Sequence, residues 1–249
     1  QYFVISLRRS CLTDPIKKIK MSKKFNNKIV LISGASRGFG CALAKELGAG
    51  GAHVIGLART SGALEELSDI ITHDGGTSTM APLDILSDKN LEKLGLLIND
   101  RWGKLDLLIH AACIATPMAP VTSLALKDFD LAFQTNARAT QKMIQVFHPL
   151  LKKSQNAKAV FIDDQQAGKF LTGYAASKAA CRIIISNYKR ENERLGPKVL
   201  IFSPKPMSTA LRAKFFPGED KTKLHTCQSQ AKKLIKKLQS LDNYKKLAD

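Results

Sequence analysis

The chain has no Cys-x-x-Cys pair, no long apolar run, few acids, and no serine or threonine between Ser154 and Thr172. Each lack excludes something. The five cysteines, Cys11, Cys41, Cys113, Cys181 and Cys227, stand singly, which argues against a zinc centre and against a secreted disulfide framework. No metal is therefore expected, and a reducing compartment, the cytoplasm, fits best. No apolar stretch approaches the ~18 residues that a bilayer crossing needs, so no membrane segment is expected. The shortage of acids is concentrated at the two ends. Against a whole-chain balance of 39 Lys and Arg to 21 Asp and Glu, residues 1–24 carry seven bases and one acid, and residues 212–249 ten and four. The middle is only mildly basic, which weakens a nucleic-acid reading. A weaker idea, RNA contact through the basic ends, predicts salt-sensitive retention lost on trimming them.

What is present, 249 residues of which 44% are apolar, suits one doubly wound α/β domain with its own core. Residues 1–24 are read as a basic extension outside that domain. The apolar patch Tyr2–Leu7 precedes Arg8 and Arg9, the reverse of a secretory leader, and Met21-Ser-Lys-Lys looks like an ordinary start. An organelle transit segment is the alternative.

Two stretches carry chemistry. In Tyr174-Ala-Ala-Ser-Lys178 a phenol and an ammonium lie four residues apart, neighbours on one side of a helix. A phenol with a pKa near ~10 is a poor acid or base at neutral pH unless a cation stabilises its phenolate, and Lys178 offers one. Upstream, the apolar strand Lys28–Ser33 runs into Gly34-Ala-Ser-Arg-Gly38-Phe-Gly40 and then the helical Cys41–Leu47. Strand, glycine turn and helix is the order that cradles a diphosphate. Gly34 would make the turn, Gly38 would admit the diphosphate, and Gly40 would let the helix pack closely.

The spacing Gly-x-x-x-Gly-x-Gly, followed by Asn136 and then by Tyr174 and Lys178, resembles the short-chain dehydrogenase/reductase family from Met21 to about Phe216. The resemblance implies a single Rossmann-like sheet of about six parallel strands in the order 3-2-1-4-5-6, with the family's seventh strand missing. It implies a nicotinamide cofactor held by Gly34, Ser36, Arg37, Gly38, Phe39 and Gly40, by Asp84 and Ile85 after the third strand, and by His110, Ala111 and Ala112 after the fourth. Tyr174 and Lys178, with Pro204 and Thr209 after the sixth strand, would complete that set. Arg59 closes the second strand, where a cation would pair with a ribose 2′-phosphate, and Arg37 could reach the same group, so NADP(H) is expected over NAD(H). Asp84 has an alternative as a helix cap, although Ser87 is better placed for that.

The catalytic set implied is Tyr174 as proton donor in reduction, Lys178 lowering its pKa and holding the nicotinamide ribose, and Asn136 on a bent helix supporting a water relay. Asp164 stands in for a serine. Three departures accompany it: His110-Ala-Ala-Cys113 replaces Asn-Asn-Ala-Gly, Lys205 replaces a glycine, and Asp163-Asp164-Gln165-Gln166 occupies the serine's place. An ionised Asp would repel an oxyanion, and losing such a donor costs about 10²- to 10³-fold in rate. Either Asp164 is protonated and donates, or Gln165 or Gln166 donates, or the substrate carries a cation that Asp164 binds.

The segment Leu124–Leu151 reads as one long helix, with Phe129, Phe133, Met143, Ile144, Phe147 and Leu150 at helical steps. The helix of Tyr174 should continue towards Leu195 and end at Gly196-Pro197. A lid is expected at about 207–224, where Phe215 and Phe216 suggest an apolar substrate or core packing. A basic last helix from about Gln228 should bury Leu234, Ile235, Leu238, Leu241 and Leu247. In the family the two long helices pair across a two-fold axis, which implies a homodimer. The function implied is reversible reduction of a ketone or aldehyde with NADP(H). The competing reading is a cofactor-binding protein with reduced or lost turnover that acts as a sensor or interaction partner.

Overall fold

A computed structural model describes residues 24–243. Most of the basic extension 1–24, with Cys11 and Met21, and Leu247 of the last helix lie outside the described residues. Six strands form one parallel sheet in the order β3-β2-β1-β4-β5-β6. They are β1 (Ile29–Ser33), β2 (His53–Ala58), β3 (Thr77–Pro82), β4 (Leu107–His110), β5 (Lys158–Ile162) and β6 (Lys198–Phe202). Every residue of β1 is buried, as a strand covered on both faces requires. Its side chains alternate between two cores. Val30 and Ile32 face α1 (Gly38–Ala49), α2 (Ser61–His73) and α8 (Cys227–Asn243). Leu31 faces α3 (Asp88–Trp102), α5 (Ala139–Lys152) and α6 (Thr172–Glu191). Strand order reverses between β1, which pairs β2 and β4 with Ser33 opposite Leu57 and His110, so the crevice at the strand tips opens there.

The long helix expected over Leu124–Leu151 runs from Leu126 to Lys152 and is interrupted by one π turn that contains Asn136, where the resemblance implied a bend. A helix α4 (Leu126–Phe133) passes through a π-helical turn, Gln134–Arg138, before α5 begins. The extra residue of the π turn re-phases the face, so Met143, Phe147 and Leu150 are buried while Phe129 and Phe133 stack on each other, 4.6 Å between ring centroids, only partly covered. The helix α6 also stops short of Leu195, at Glu191, where Asn192 donates through Nδ2 to the Tyr188 carbonyl at 2.7 Å. The helix α8 packs against α1, burying Leu234 and Leu238 beside Phe202, while Lys198 Nζ at the sheet edge donates to the Leu241 carbonyl at 3.0 Å. No seventh strand pairs with β6 among the described residues.

Candidate active site at the strand tips

The glycine turn follows from backbone demands. Gly34 has φ +73° and Gly38 φ +59°, conformations that side chains rarely adopt. A Cβ on Gly34 would sit 2.9 Å from the Ala112 backbone, so the turn lies directly against the loop that follows β4. A Cβ on Gly40 would come within 2.2 Å of the Gly34 carbonyl. What Gly40 permits is therefore closure of the turn on itself, rather than the helix-to-sheet contact expected of it. Beyond Gly38 the nearest group to an added Cβ is Thr209 Cγ2 at 3.8 Å. The helix α1 begins at this gap with no acid in its first turn and no side-chain cap. Ser36 is half-buried in the turn, Phe39 stacks on Phe202 at 6.0 Å, and Arg37 and Arg59 are both exposed at the tips. Asp84 accepts from the Leu86 N–H at 3.0 Å, ahead of the buried Ile85. Ser87 occupies the cap position of α3, but its hydroxyl makes no cap bond, contrary to expectation.

At the end of β4, His110 Nδ1 and Ser33 Oγ are 2.7 Å apart, and the Ala112 N–H reaches the same oxygen at 3.4 Å. His110 Nε2 is buried without a partner. Burial, and then the nearby Lys178 ammonium, lower the ring's pKa to about 3, so the imidazole is neutral. Asn136, in the π turn, clasps the next stretch of this loop. Its Oδ1 accepts from the Ile114 N–H at 2.9 Å, while Nδ2 donates to the Ile114 carbonyl at 3.2 Å and to Ser177 Oγ at 3.0 Å. Its carbonyl accepts from Thr140 Oγ1 at 2.9 Å.

The loop between β5 and α6 separates two adjacent acids. Asp163 is buried and paired with Arg182, Nε to Oδ2 at 2.9 Å. Asp164 turns the other way. Its Oδ2 accepts from the Tyr174 hydroxyl at 2.9 Å and its Oδ1 from the Gln166 N–H at 3.2 Å. Lys178 Nζ donates to the Ile162 carbonyl at 2.8 Å. Tyr174 is 1% exposed. Burial, and then Cys113, Asp164 and Asp163, push its phenol well above the usual range. The lowering expected from Lys178 does not appear: desolvation and acidic neighbours set the direction, and the Lys178 ammonium is engaged by the Ile162 carbonyl. Cys113 lies in the fields of Lys178, Asp164 and Arg37, and burial raises its thiol. That chain of neighbours links the glycine turn to the tyrosine.

After β6 the chain makes an excursion closed at its base by a bridge between Met207 and His225. Pro204 is half-buried, and the Lys205 N–H donates to Gln230 Oε1 at 3.1 Å. Lys205 is not among the residues with positive φ, so this loop passes without the glycine conformation. Thr209 caps the short helix α7 (Ala210–Phe215), accepting from the Arg212 N–H. Phe215 then lands on Tyr174, ring centroids 4.8 Å apart, in a small cluster with Leu171, Leu211 and Phe216. A fork between Arg212 and Glu219, 2.5 and 2.6 Å, pins the segment. Sequence reasoning passed over Ser177, Ser33, Arg212 and Phe170. Ser177 alone had a local signal, being the residue before Lys178. Phe170 holds φ +69°, an outlier for a bulky side chain, and its carbonyl accepts from the Ala119 N–H at 3.1 Å.

These features define a nucleotide-fold protein with a tyrosine site at the strand tips, and comparison with known proteins agrees. The family model described as short chain dehydrogenase matches residues 28–220. The uncharacterized oxidoreductase YciK of Escherichia coli (strain K12) is 31% identical over 211 residues, 81% of this chain and 82% of that protein. A short chain dehydrogenase of Shigella flexneri, solved complexed with NADP, superposes with a TM-score of 0.79 at 28% identity, covering 84% of this chain and 89% of the other. A short chain dehydrogenase from Pseudomonas syringae gives 0.80 at 27%, covering 84% and 87%. The chain belongs to the short-chain dehydrogenase/reductase family of enzymes.

The residues present fit a nicotinamide dinucleotide. The gap between Gly38 and Thr209 is one that a Cβ would begin to fill, and it faces the uncapped start of α1, a site for a diphosphate. His110 Nε2 remains an unused buried polar atom in the crevice wall. Among the described residues no cluster suited to a metal and no helix long and apolar enough to cross a membrane is found.

Proposed function

We propose that the protein is an NADP(H)-dependent oxidoreductase that reversibly reduces a polarised double bond at carbon, with ketone and aldehyde carbonyls as the family-implied case. The observation that carries this reading is the meeting of two separate motifs at one crevice: Gly34 abuts Ala112, and the same loop is tied at Ile114 through Asn136 to Ser177, on the helix between Tyr174 and Lys178. Bound in that crevice, the cofactor would supply hydride. Gly34, Ser36, Gly38, Phe39, Gly40 and Thr209 would line its diphosphate, and Arg37 and Arg59 would favour the 2′-phosphate of NADP(H) over NAD(H). Asp84 and Ile85 would meet the adenine, while His110, Ala111, Ala112 and Pro204 would border the nicotinamide riboside.

Of the chain's own groups, Tyr174 would hold the transferable proton and Lys178 would bind the ribose. Asn136 would fix the β4 loop and α6 in register through Ile114 and Ser177. Asp164 would face the reacting centre. The segment 207–224 would act as the lid of the domain 25–249, with Phe215 shutting water away from Tyr174. The exposed Leu131 of α4 and Ile183 of α6 suit the expected homodimer, and cysteines left unpaired suit the cytoplasm.

NADPH consumption at 340 nm against a carbonyl panel tests the reading, with the Tyr174→Phe variant alongside. Tyr174→Phe should lose about 10²- to 10⁴-fold in kcat/KM, the usual worth of a positioned proton donor. Equal rates from both proteins on carbonyls would remove Tyr174 from the chemistry, and no turnover of any C=O or C=N compound while NADPH still binds would favour the second reading, a cofactor-binding sensor. The phenol tied to Asp164 beneath Phe215 is the observation on that side.

A further inference from the structure

We propose that Asp164 selects a substrate whose reacting nitrogen is already cationic, a protonated imine, which the site reduces to an amine. The proposal rests on the reading that this crevice transfers hydride with NADP(H), and it names the substrate class of that same site.

The argument begins with an anion that lacks a cation. Asp163 has Arg182. Asp164, one residue on, takes part in no ion pair among the described residues, although Arg212 lies within its field and Lys178 extends from the same helix as Tyr174. Lys178 spends its contact on the Ile162 carbonyl, and Arg212 is engaged on two nitrogens by Glu219. Both Asp164 oxygens are engaged, Oδ2 with the Tyr174 hydroxyl and Oδ1 with the Gln166 backbone N–H. Of the glutamines beside it, Gln165 is exposed, and Gln166 meets Asp164 through its backbone N–H rather than its side-chain amide. What is left is a half-buried carboxyl group with no cation paired to it, 2.9 Å from the phenol, where a carbonyl substrate would develop an oxyanion.

Hydride addition to a protonated imine discharges the site instead of charging it. The carbon accepts the hydride of the reduced nicotinamide, forming one C–H bond. The π pair of C=N⁺ withdraws onto nitrogen as a lone pair, and the product is a neutral amine that takes up a solvent proton on release. No oxyanion forms and no proton is required of Tyr174, which suits a phenol that burial and Asp164 hold strongly to its proton. The walls around this pair, Leu171, Leu211, Phe215 and Phe216, are apolar, so the cation should sit on an otherwise hydrophobic or aromatic skeleton. An ammonium or iminium among apolar walls is attracted by a carboxylate beside it more strongly than in water.

The test uses the full chain saturated with NADP+ and two probes of one shape, phenylpyrrolidine, which is cationic at neutral pH, and the neutral phenylcyclopentanol. Titration calorimetry should show the cation binding about tenfold or more tightly than the neutral probe, the scale of one charge-assisted contact. Asp164→Asn should erase the preference while leaving NADP+ affinity in place. In NADPH consumption, the wild-type protein should favour phenylpyrroline over the matched phenyl ketone, and Asp164→Ser should reverse that order. Equal binding of the two probes, no binding of either, a preference that survives Asp164→Asn, or faster reduction of the ketone by the wild type would each overturn the proposal. Failure of NADP+ itself to bind would instead overturn the oxidoreductase reading on which it rests.

Discussion

The two sides of the crevice are built on different terms. On the cofactor side, from β1 to β4, backbone geometry leaves little choice: Gly34 and Gly40 cannot carry side chains without collision, and Ser33 ties β1 to the loop after β4 through His110 and Ala112. On the substrate side, from β5 to α7, the site is made of side chains that could have been arranged otherwise. Asp163 and Asp164 part company, Phe215 covers Tyr174, and Arg212 pins the covering segment to Glu219. A fold can therefore hold its cofactor framework fixed while the reacting group beside it is exchanged, since a backbone-defined turn tolerates little and a side-chain pocket tolerates much.

The sharpest way to break the comparison is Gly40→Ala. An added Cβ 2.2 Å from a backbone carbonyl forces the turn to open, at a cost of about 1–3 kcal/mol by analogy with overpacking, or roughly 10- to 100-fold in NADPH affinity. Fluorescence titration of NADPH would read it. Retained affinity would mean that the turn is not the cofactor's seat.

A second change tests whether the two sides share one foundation. Asp106 is buried at the opposite end of the sheet, accepting from the Ile29 N–H at 3.0 Å, from Ser154 Oγ at 2.7 Å, and from Lys28 and Lys104. Burial alone would raise its carboxyl, but these donors prevail and hold it below the usual carboxylate value. A carboxylate depressed in the folded state stabilises above its unfolded pKa, and that contribution is lost as pH falls through the folded value. Asp106→Ala should cost about 2 kcal/mol or more, chiefly by leaving the buried Ile29 N–H unpaired, and should blunt the loss of stability on acidification. Urea unfolding at neutral pH and down through and below the ordinary carboxylate value, about pH 4, checks both. Because the residue touches neither side of the crevice, the preference among substrates should stay unchanged.

The smallest expected effect sharpens the cofactor side alone. Arg37 and Arg59 are exposed, so their pairing with a 2′-phosphate would be screened by solvent, and removing either should narrow the NADPH over NADH preference by only about tenfold or less. Parallel titrations of the two cofactors measure it, and an unchanged ratio in both variants would assign the preference elsewhere.

The same contrast explains what could be read from the sequence. The strands and the glycine turn were legible because continuous apolar runs such as Ile29–Ile32 mark buried strands and glycines at fixed spacing mark the turn, while the strand order came from the resemblance to the family. The π turn at Gln134–Arg138 was hidden within a hydrophobic pattern that looked continuous, since one added residue in a turn shifts phase without changing composition, and only the family resemblance pointed to a bend at Asn136. The direction of the Tyr174 shift was also illegible. The Tyr-x-x-x-Lys spacing brings an ammonium close, but burial and Asp164 come from the lid and a neighbouring loop, far away along the chain or in an unpredictable turn. Nothing local could have told that Asp163 serves Arg182 while Asp164 serves the phenol.

The most direct test of the account is the position of the nicotinamide in a crystal of this protein with NADPH. The account predicts the diphosphate at the start of α1, over Gly38, and the ring's reactive carbon opening onto the space beside the Tyr174 hydroxyl and the Asp164 carboxylate. A diphosphate bound away from the glycine turn, or a ring turned from that pair, would contradict it.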